Sequence, residues 1–238
     1  MLTKFRTFLF VALLISPVAQ ADENSIKAEF QRRFPSSPQV QSVTPTPLPG
    51  LYEDVVGNQT FYTDRGINYI FQGSLIDAKA HRNLTEERLQ KITGIPFDKL
   101  PLKLAIKFVK GNGKRKLAIF EDPDCPFCKK LEQEALPTID NVTIYIFLYP
   151  IAQLHPAATE KSKKIWCSPD RGKAWTDAIV KGIEPTAAAT CDNPVDALQK
   201  FAGEYRINGT PTLVFADGRR VPGALPAPEI ERLLDAAR

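Results

Sequence analysis

The chain has 238 residues, of which 31 are basic and 27 acidic, with 43% hydrophobic residues and four cysteines. The near balance of charge leaves no electrostatic footprint for nucleic acid, and the one basic run, "KGNGKRK" at 110–116, reads as a solvated turn. No apolar stretch reaches the roughly 20 residues that span a bilayer, and the two histidines, His81 and His155, stand at no ligand spacing that would complete a zinc set.

In chain order, the first element is a leader. Lys4 and Arg6 precede an apolar core from Phe8 to Ile15, and "VAQA" ends on the small residues Ala19 and Ala21. That pattern predicts a secretory signal peptide over residues 1–21 and export to an oxidising compartment. Its removal takes two bases and no acid, leaving 29 basic against 27 acidic residues in a chain of 217 (238 less 21), room enough for two domains.

Residues 22–34 carry Ile26, Phe30 and Phe34 at helical spacing, an amphipathic helix before a Pro-rich turn. Four short extended pieces follow, "LYEDVV", "QTFYTD", "INYIFQG" and "SLIDA", with turn residues between them. This unit, residues 22–80, has no cysteine. Domains of about 60 residues are marginal alone, so it is expected to pair with a second copy and serve as a dimerisation domain. In "INYIFQG", Tyr69 and Phe71 alternate with Asn68, Ile70 and Gln72, a two-sided strand suited to such pairing at a sheet edge. A linker helix is predicted within residues 81–98, with Asn83 or Thr85 as N-cap, Glu86 and Glu87 in its first turn and Gly94 as its stop.

The second unit, residues 99–238, alternates strand and helix. "KLAIF" (116–120) is a buried strand, "CPFCKKLEQEAL" a helix from Cys125 that Pro137 stops, and "VTIYIFL" (142–148) a second buried strand. A polar, mostly helical stretch runs from about Ala157 to Tyr205. "TLVFADGRRV" is then a hairpin turning at Asp217–Gly218, and "APEIERLLDAAR" a closing helix with Pro228 in its first turn. This order of elements, with C-x-x-C between a strand and a helix, is that of a thioredoxin fold, and the whole chain is expected to be α+β.

Cys125 at a helix mouth faces unsatisfied backbone N–H groups and the positive end of the helix dipole, which stabilise a thiolate. Cys128, one turn deeper, is placed to attack a mixed disulfide formed at Cys125. Zinc capture and a purely structural disulfide are the competing readings of this pair, and its spacing at a strand-to-helix turn favours redox exchange over both. Cys167 and Cys191 are predicted to form a structural disulfide in an oxidising compartment, holding the polar insertion together. "GTP" at 209–211 precedes an apolar strand, and in a thioredoxin fold a cis proline at this place lies against the C-x-x-C and offers the backbone of Thr210 to a substrate chain.

"YIFQGSLID", "FEDPDCPFCKKL", "IWCSPDRGKAW" with "TCDNP", and "INGTPTLVFADGRRVPG" occur in the order found in the DsbC/DsbG family of periplasmic disulfide isomerases, which the chain resembles over nearly all of residues 22–238. The resemblance implies a V-shaped homodimer joined by the N-terminal domain, misfolded disulfide-containing secreted proteins as clients, a DsbD-type membrane reductase as partner, and no cofactor or metal. It makes Cys125 the nucleophile, Cys128 the resolving thiol, Thr210 and Pro211 the substrate-binding pair, and Cys167 with Cys191 the structural disulfide. Pro126–Phe127 is nearer the Pro-Tyr of the DsbG branch than the Gly-Tyr of the isomerase branch. A DsbG-like reductase of oxidised single cysteines with holdase activity is the alternative. Ile119 stands six residues before Cys125, where thioredoxins and DsbA oxidases carry a buried acid.

Overall fold

The computed structural model describes residues 17–237, so the predicted leader up to residue 16 lies outside the described residues. The chain divides after Thr85 into two compact units. In the first, helix α1 (Pro17–Arg33) presents Ile26 and Phe30, four residues apart and on one face, to a small core with Val40, Val43, Val56 and Ile67. Phe34, expected on the same face, lies just past the helix, half exposed, with its ring 5.1 Å from that of Phe30.

The sheet beside α1 is antiparallel and in chain order: β1 (Val40–Pro45), β2 (Leu51–Val56), β3 (Gln59–Asp64) and β4 (Ile70–Phe71). A two-residue turn joins β2 to β3 at Gly57, whose φ of +62° costs a residue without Cβ nothing. β1 is absent from the sequence reading, and its irregularity explains why. The register shifts between Val40 and Ser42, so Val40 and Val43, three apart, both point inward and the period of two is lost. The predicted strands at 51–56 and 59–64 form as such, whereas "INYIFQG" contributes only the two residues of β4 at the sheet edge. A separate two-stranded ladder pairs β5 (Ile76–Asp77) with β6 (Arg82–Asn83).

Helix α2 (Leu84–Thr93) begins two residues before the division, and the second unit continues from it through two single 3₁₀ turns to β7 (Ile106–Lys110) and β8 (Arg115–Glu121). Then come α3 (Pro126–Lys130), β9 (Val142–Leu148), α4 (Ala158–Cys167), α5 (Arg171–Lys181), α6 (Val195–Glu204), β10 (Thr212–Phe215), β11 (Arg220–Pro222) and α7 (Ala227–Ala236). The sheet order is β11-β10-β8-β9-β7, with β8 and β9 parallel and every other pairing antiparallel. β8 and β9 are buried on both faces, which is why they read as continuous apolar runs. Alternation sends Leu117 and Ile119 to one face, with Leu131, Trp175 and Ile230, and Ala118 and Phe120 to the other, with Phe147, Leu198 and Val214.

Pro137 does not end the helix that starts at Pro126. After α3 the chain widens into one π-helical turn, Leu131–Ala135, and then tightens into a 3₁₀ turn, Leu136–Thr138, that contains the proline.

Candidate active site

β8 ends at the sheet's C-terminal edge, and the turn Asp122–Pro123–Asp124 carries the chain to Cys125, the N-cap of α3. One buried side chain organises that turn. Asp122 Oδ1 accepts from the Asp124 amide at 2.8 Å, while Oδ2 accepts from the Ile151 amide at 2.7 Å and lies 2.9 Å from His155 Nδ1. The Cys125 amide donates to the Asp122 carbonyl at 3.1 Å. Asp124 reaches outward to Lys161 at 2.5 Å.

Cys125 and Cys128 are both free thiols, 4% and 0% exposed, and Phe127 between them is 63% exposed, an apolar lip beside a recessed sulfur. The loop before β10 closes over Cys125. Its Thr210–Pro211 peptide is cis, and the Cys125 sulfur lies 3.4 Å from the Thr210 carbonyl, to which it donates when protonated. Residues 85 positions apart in sequence thus line one sulfur.

The electrostatics of the two thiols are opposite. A hydrogen bond from Cys128 pulls the Cys125 thiol down to about 5 against the opposing effect of burial, and the Thr210 side chain and the backbone N–H groups of Cys128 and Phe127 add to it. Burial pushes Cys128 up, and its hydrogen bond to Cys125 and the negative field of Glu121 push the same way. One sulfur is therefore held as a thiolate at neutral pH, with the other kept as a thiol behind it.

Glu121, Asp122 and Asp124 crowd the four positions before Cys125 in sequence, where their charge would oppose a thiolate. In the fold they separate. Asp124 is ion-paired to Lys161, Asp122 holds the loop, and only Glu121 faces the sulfurs from within the core. In the sequence His155 shows only that it stands at no zinc-ligand spacing, because its place beside Asp122 depends on the segment after β9 folding back over the loop. Cys167 and Cys191 form a disulfide with Cα atoms 5.7 Å apart, tying the end of α4 to the loop before α6.

Two family models match the chain: a thioredoxin-like domain over residues 102–238 and a disulfide bond isomerase protein N-terminal domain over residues 17–86. The "Probable thiol:disulfide interchange protein DsbC" of Bordetella pertussis is 43% identical over 219 residues, 92% of this chain and 76% of that protein. The thiol:disulfide interchange protein DsbC of Escherichia coli K12 is 28% identical over 96% of this chain and 94% of its own length. Among solved structures, a disulfide interchange protein from Neisseria gonorrhoeae superposes with a TM-score of 0.55 at 48% identity, covering 58% of this chain and 98% of that one.

Proposed function

Because the chain belongs to the DsbC family of thiol:disulfide interchange proteins, we propose that it isomerises and reduces non-native disulfides in exported proteins, with Cys125 as nucleophile and Cys128 as resolving thiol. The observation that carries the assignment of roles is the asymmetry of the two sulfurs. Cys125 is held low, to about 5, at the lip formed by Thr210 and Phe127, whereas Cys128 is fully buried and held up.

The Cys125 thiolate attacks one sulfur of a client disulfide, forming a Cys125–client bond and releasing the other client sulfur as a thiolate. An extended client segment lies along Thr210 and Pro211, where the backbone of the loop is available to pair with it. If the freed client thiolate, or another client cysteine, attacks the mixed disulfide, the client leaves with its disulfides rearranged and the enzyme leaves reduced. If Cys128 attacks instead, the client leaves reduced and the Cys125–Cys128 disulfide must be reduced by a membrane reductase of the DsbD type. The predicted leader supports the periplasm as the compartment of this work. The edge strand β4, with Ile70 and Phe71 exposed and Tyr69 exposed just before it, supports a homodimer joined through residues 22–80.

Two measurements test this. Cys125→Ser is expected to abolish recovery of activity from scrambled ribonuclease, and a variant that keeps it would sink the reading. Iodoacetamide at about pH 6 should label Cys125 well before Cys128, since only the thiolate reacts; the reverse order would exchange the two roles.

A further inference from the structure

Two carboxyl groups beneath the cysteines take no part in the exchange described above. Glu121 is the last residue of β8, and alternation carries its side chain to the face of Leu117 and Ile119, toward the core that holds Cys128 and Trp175. It is 0% exposed, and among the described residues neither of its oxygens has a hydrogen-bond donor. An ionised carboxylate in that setting is heavily penalised. A protonated one beside a second carboxyl is not, because its own O–H supplies the missing donor.

Glu132 is that second carboxyl. It lies four residues after Cys128, in the π-helical turn, and its Oε1 accepts from the buried Trp175 Nε1 at 2.6 Å. It also lines a cavity of about 330 Å³ at the β7 edge of the sheet, with Phe108, Lys110, Leu136, Thr176 and Val180. The charged and titratable groups facing the pair are Cys125 and Cys128 on the sulfur side and Lys110 on the cavity side. Burial, then Glu132, raises Glu121 well above the carboxylate range. Burial raises Glu132 as well, opposed by Trp175, Glu121 and Lys110.

Cys128 has to lose a proton to become a nucleophile, and no water reaches a sulfur that is fully buried. We propose that Glu121 and Glu132 are a two-carboxyl proton relay, which takes the Cys128 proton as that sulfur closes on Cys125 and delivers it to the cavity beside Lys110. The assignment rests on the exchange roles of the two cysteines given above. In the closing step the Cys128 S–H proton passes to the carboxyl pair, which holds one proton and one negative charge and becomes neutral. The Cys128 thiolate forms the S–S bond to Cys125, the Cys125–client bond breaks, and the electron pair leaves on the client sulfur as thiolate. The pair then sheds one proton through Glu132 into the cavity. Reduction of the Cys125–Cys128 disulfide reverses the path and returns a proton to Cys128.

The test uses the full-length protein with Cys125 held as a mixed disulfide to thionitrobenzoate, whose coloured thiolate is released when Cys128 closes. In the unaltered protein closure should vary little between about pH 6 and 8. In Glu121→Gln it should fall tenfold or more at about pH 6 and climb roughly in proportion to hydroxide, as expected when a positioned general base worth about 10²–10⁴ in rate is lost. Glu132→Gln should also slow closure, by cutting the exit to the cavity. Unchanged closure in both variants, or a slowing of Glu121→Gln that is the same at every pH, overturns the relay. Formation of the mixed disulfide at Cys125 is read separately: its loss would count against the proposed function, and its retention with altered closure isolates the relay. Should Glu121→Gln fail to fold, infrared difference spectra of the unaltered protein decide. A change in the protonated-carboxyl stretch between reduced and oxidised forms is expected, and its absence overturns the proposal.

Discussion

The thiolate of Cys125 owes its stability to donors brought from three places: Cys128 one turn along, the amides at the start of α3, and Thr210 from the loop before β10. His155 adds a pH-dependent contribution. Its hydrogen bond to Asp122 raises its pKa above the ordinary 6.5, and the charge of Cys125 pushes it the same way. A group raised on folding stabilises fully below its unfolded value and loses that contribution as pH rises through the folded one. The His155–Asp122 pair is therefore complete below about pH 6.5 and weakens above it. His155→Gln should raise the Cys125 pKa, seen in the ultraviolet absorbance of the thiolate. It should lower thermal stability more at about pH 6 than at about pH 9; an equal loss at both would remove the charge from the account. The C-x-x-C chemistry was legible in the sequence because helix-mouth geometry is local. The position of Glu121 was not, since nothing local in "EDPD" tells it apart from the acids at Asp122 and Asp124. β8 runs one residue past the predicted "KLAIF", and that residue's parity turns the glutamate inward.

The elements that sequence patterns found include β8 and β9, buried on both faces, the strands β2, β3, β10 and β11 set between clear turn residues, and the helices with clear start signals. Those missed depart from a simple period. β1 carries a bulge that moves its two inward valines three apart, and β7, "IKFVK", is an edge strand whose exposed Val109 obscures its alternation. The helical insertion depends on a covalent tie more than the rest of the unit does. α4 and α5 are ten and eleven residues long, and the loop before α6 is polar and largely exposed. The disulfide from Cys167 to Cys191 closes a loop with a sequence separation of 24. In the chain-entropy treatment, closing a loop of that size contributes about 3.5 kcal/mol. The double variant Cys167→Ser, Cys191→Ser should lose about 2–4 kcal/mol in urea unfolding while Cys125 is alkylated at an unchanged rate. A slowed alkylation would mean that the insertion shapes the active site as well as stabilising it.

For the whole molecule, the question is what occupies the open edge at β4. Phe71, on a strand with one paired side, is 54% exposed, and Tyr69 just before that strand is 81% exposed. Burial of two aromatic side chains against a second copy contributes about 1.5–3 kcal/mol each, a large share of what a small interface needs. Phe71→Glu places like charges opposite one another across such an edge. It should convert a dimer into a monomer by light scattering, retain insulin reduction and lose most scrambled-ribonuclease activity; a dimer of undiminished mass would move the interface elsewhere. The recess around Cys125 bears on which disulfides the enzyme touches at all. A sulfur only 4% exposed, under the Thr210 loop and behind Phe127, can be reached by a thin, extended stretch of chain or by a small peptide disulfide. A cystine packed between helices or strands presents too broad a profile. Access is thus a reading of client conformation, made without recognising any side chain: a correctly folded protein becomes invisible to the enzyme at the moment its own structure closes around its disulfides. The rate of attack on a client should accordingly track how often that client opens, and equal rates on native and scrambled ribonuclease would show that no such sieve exists.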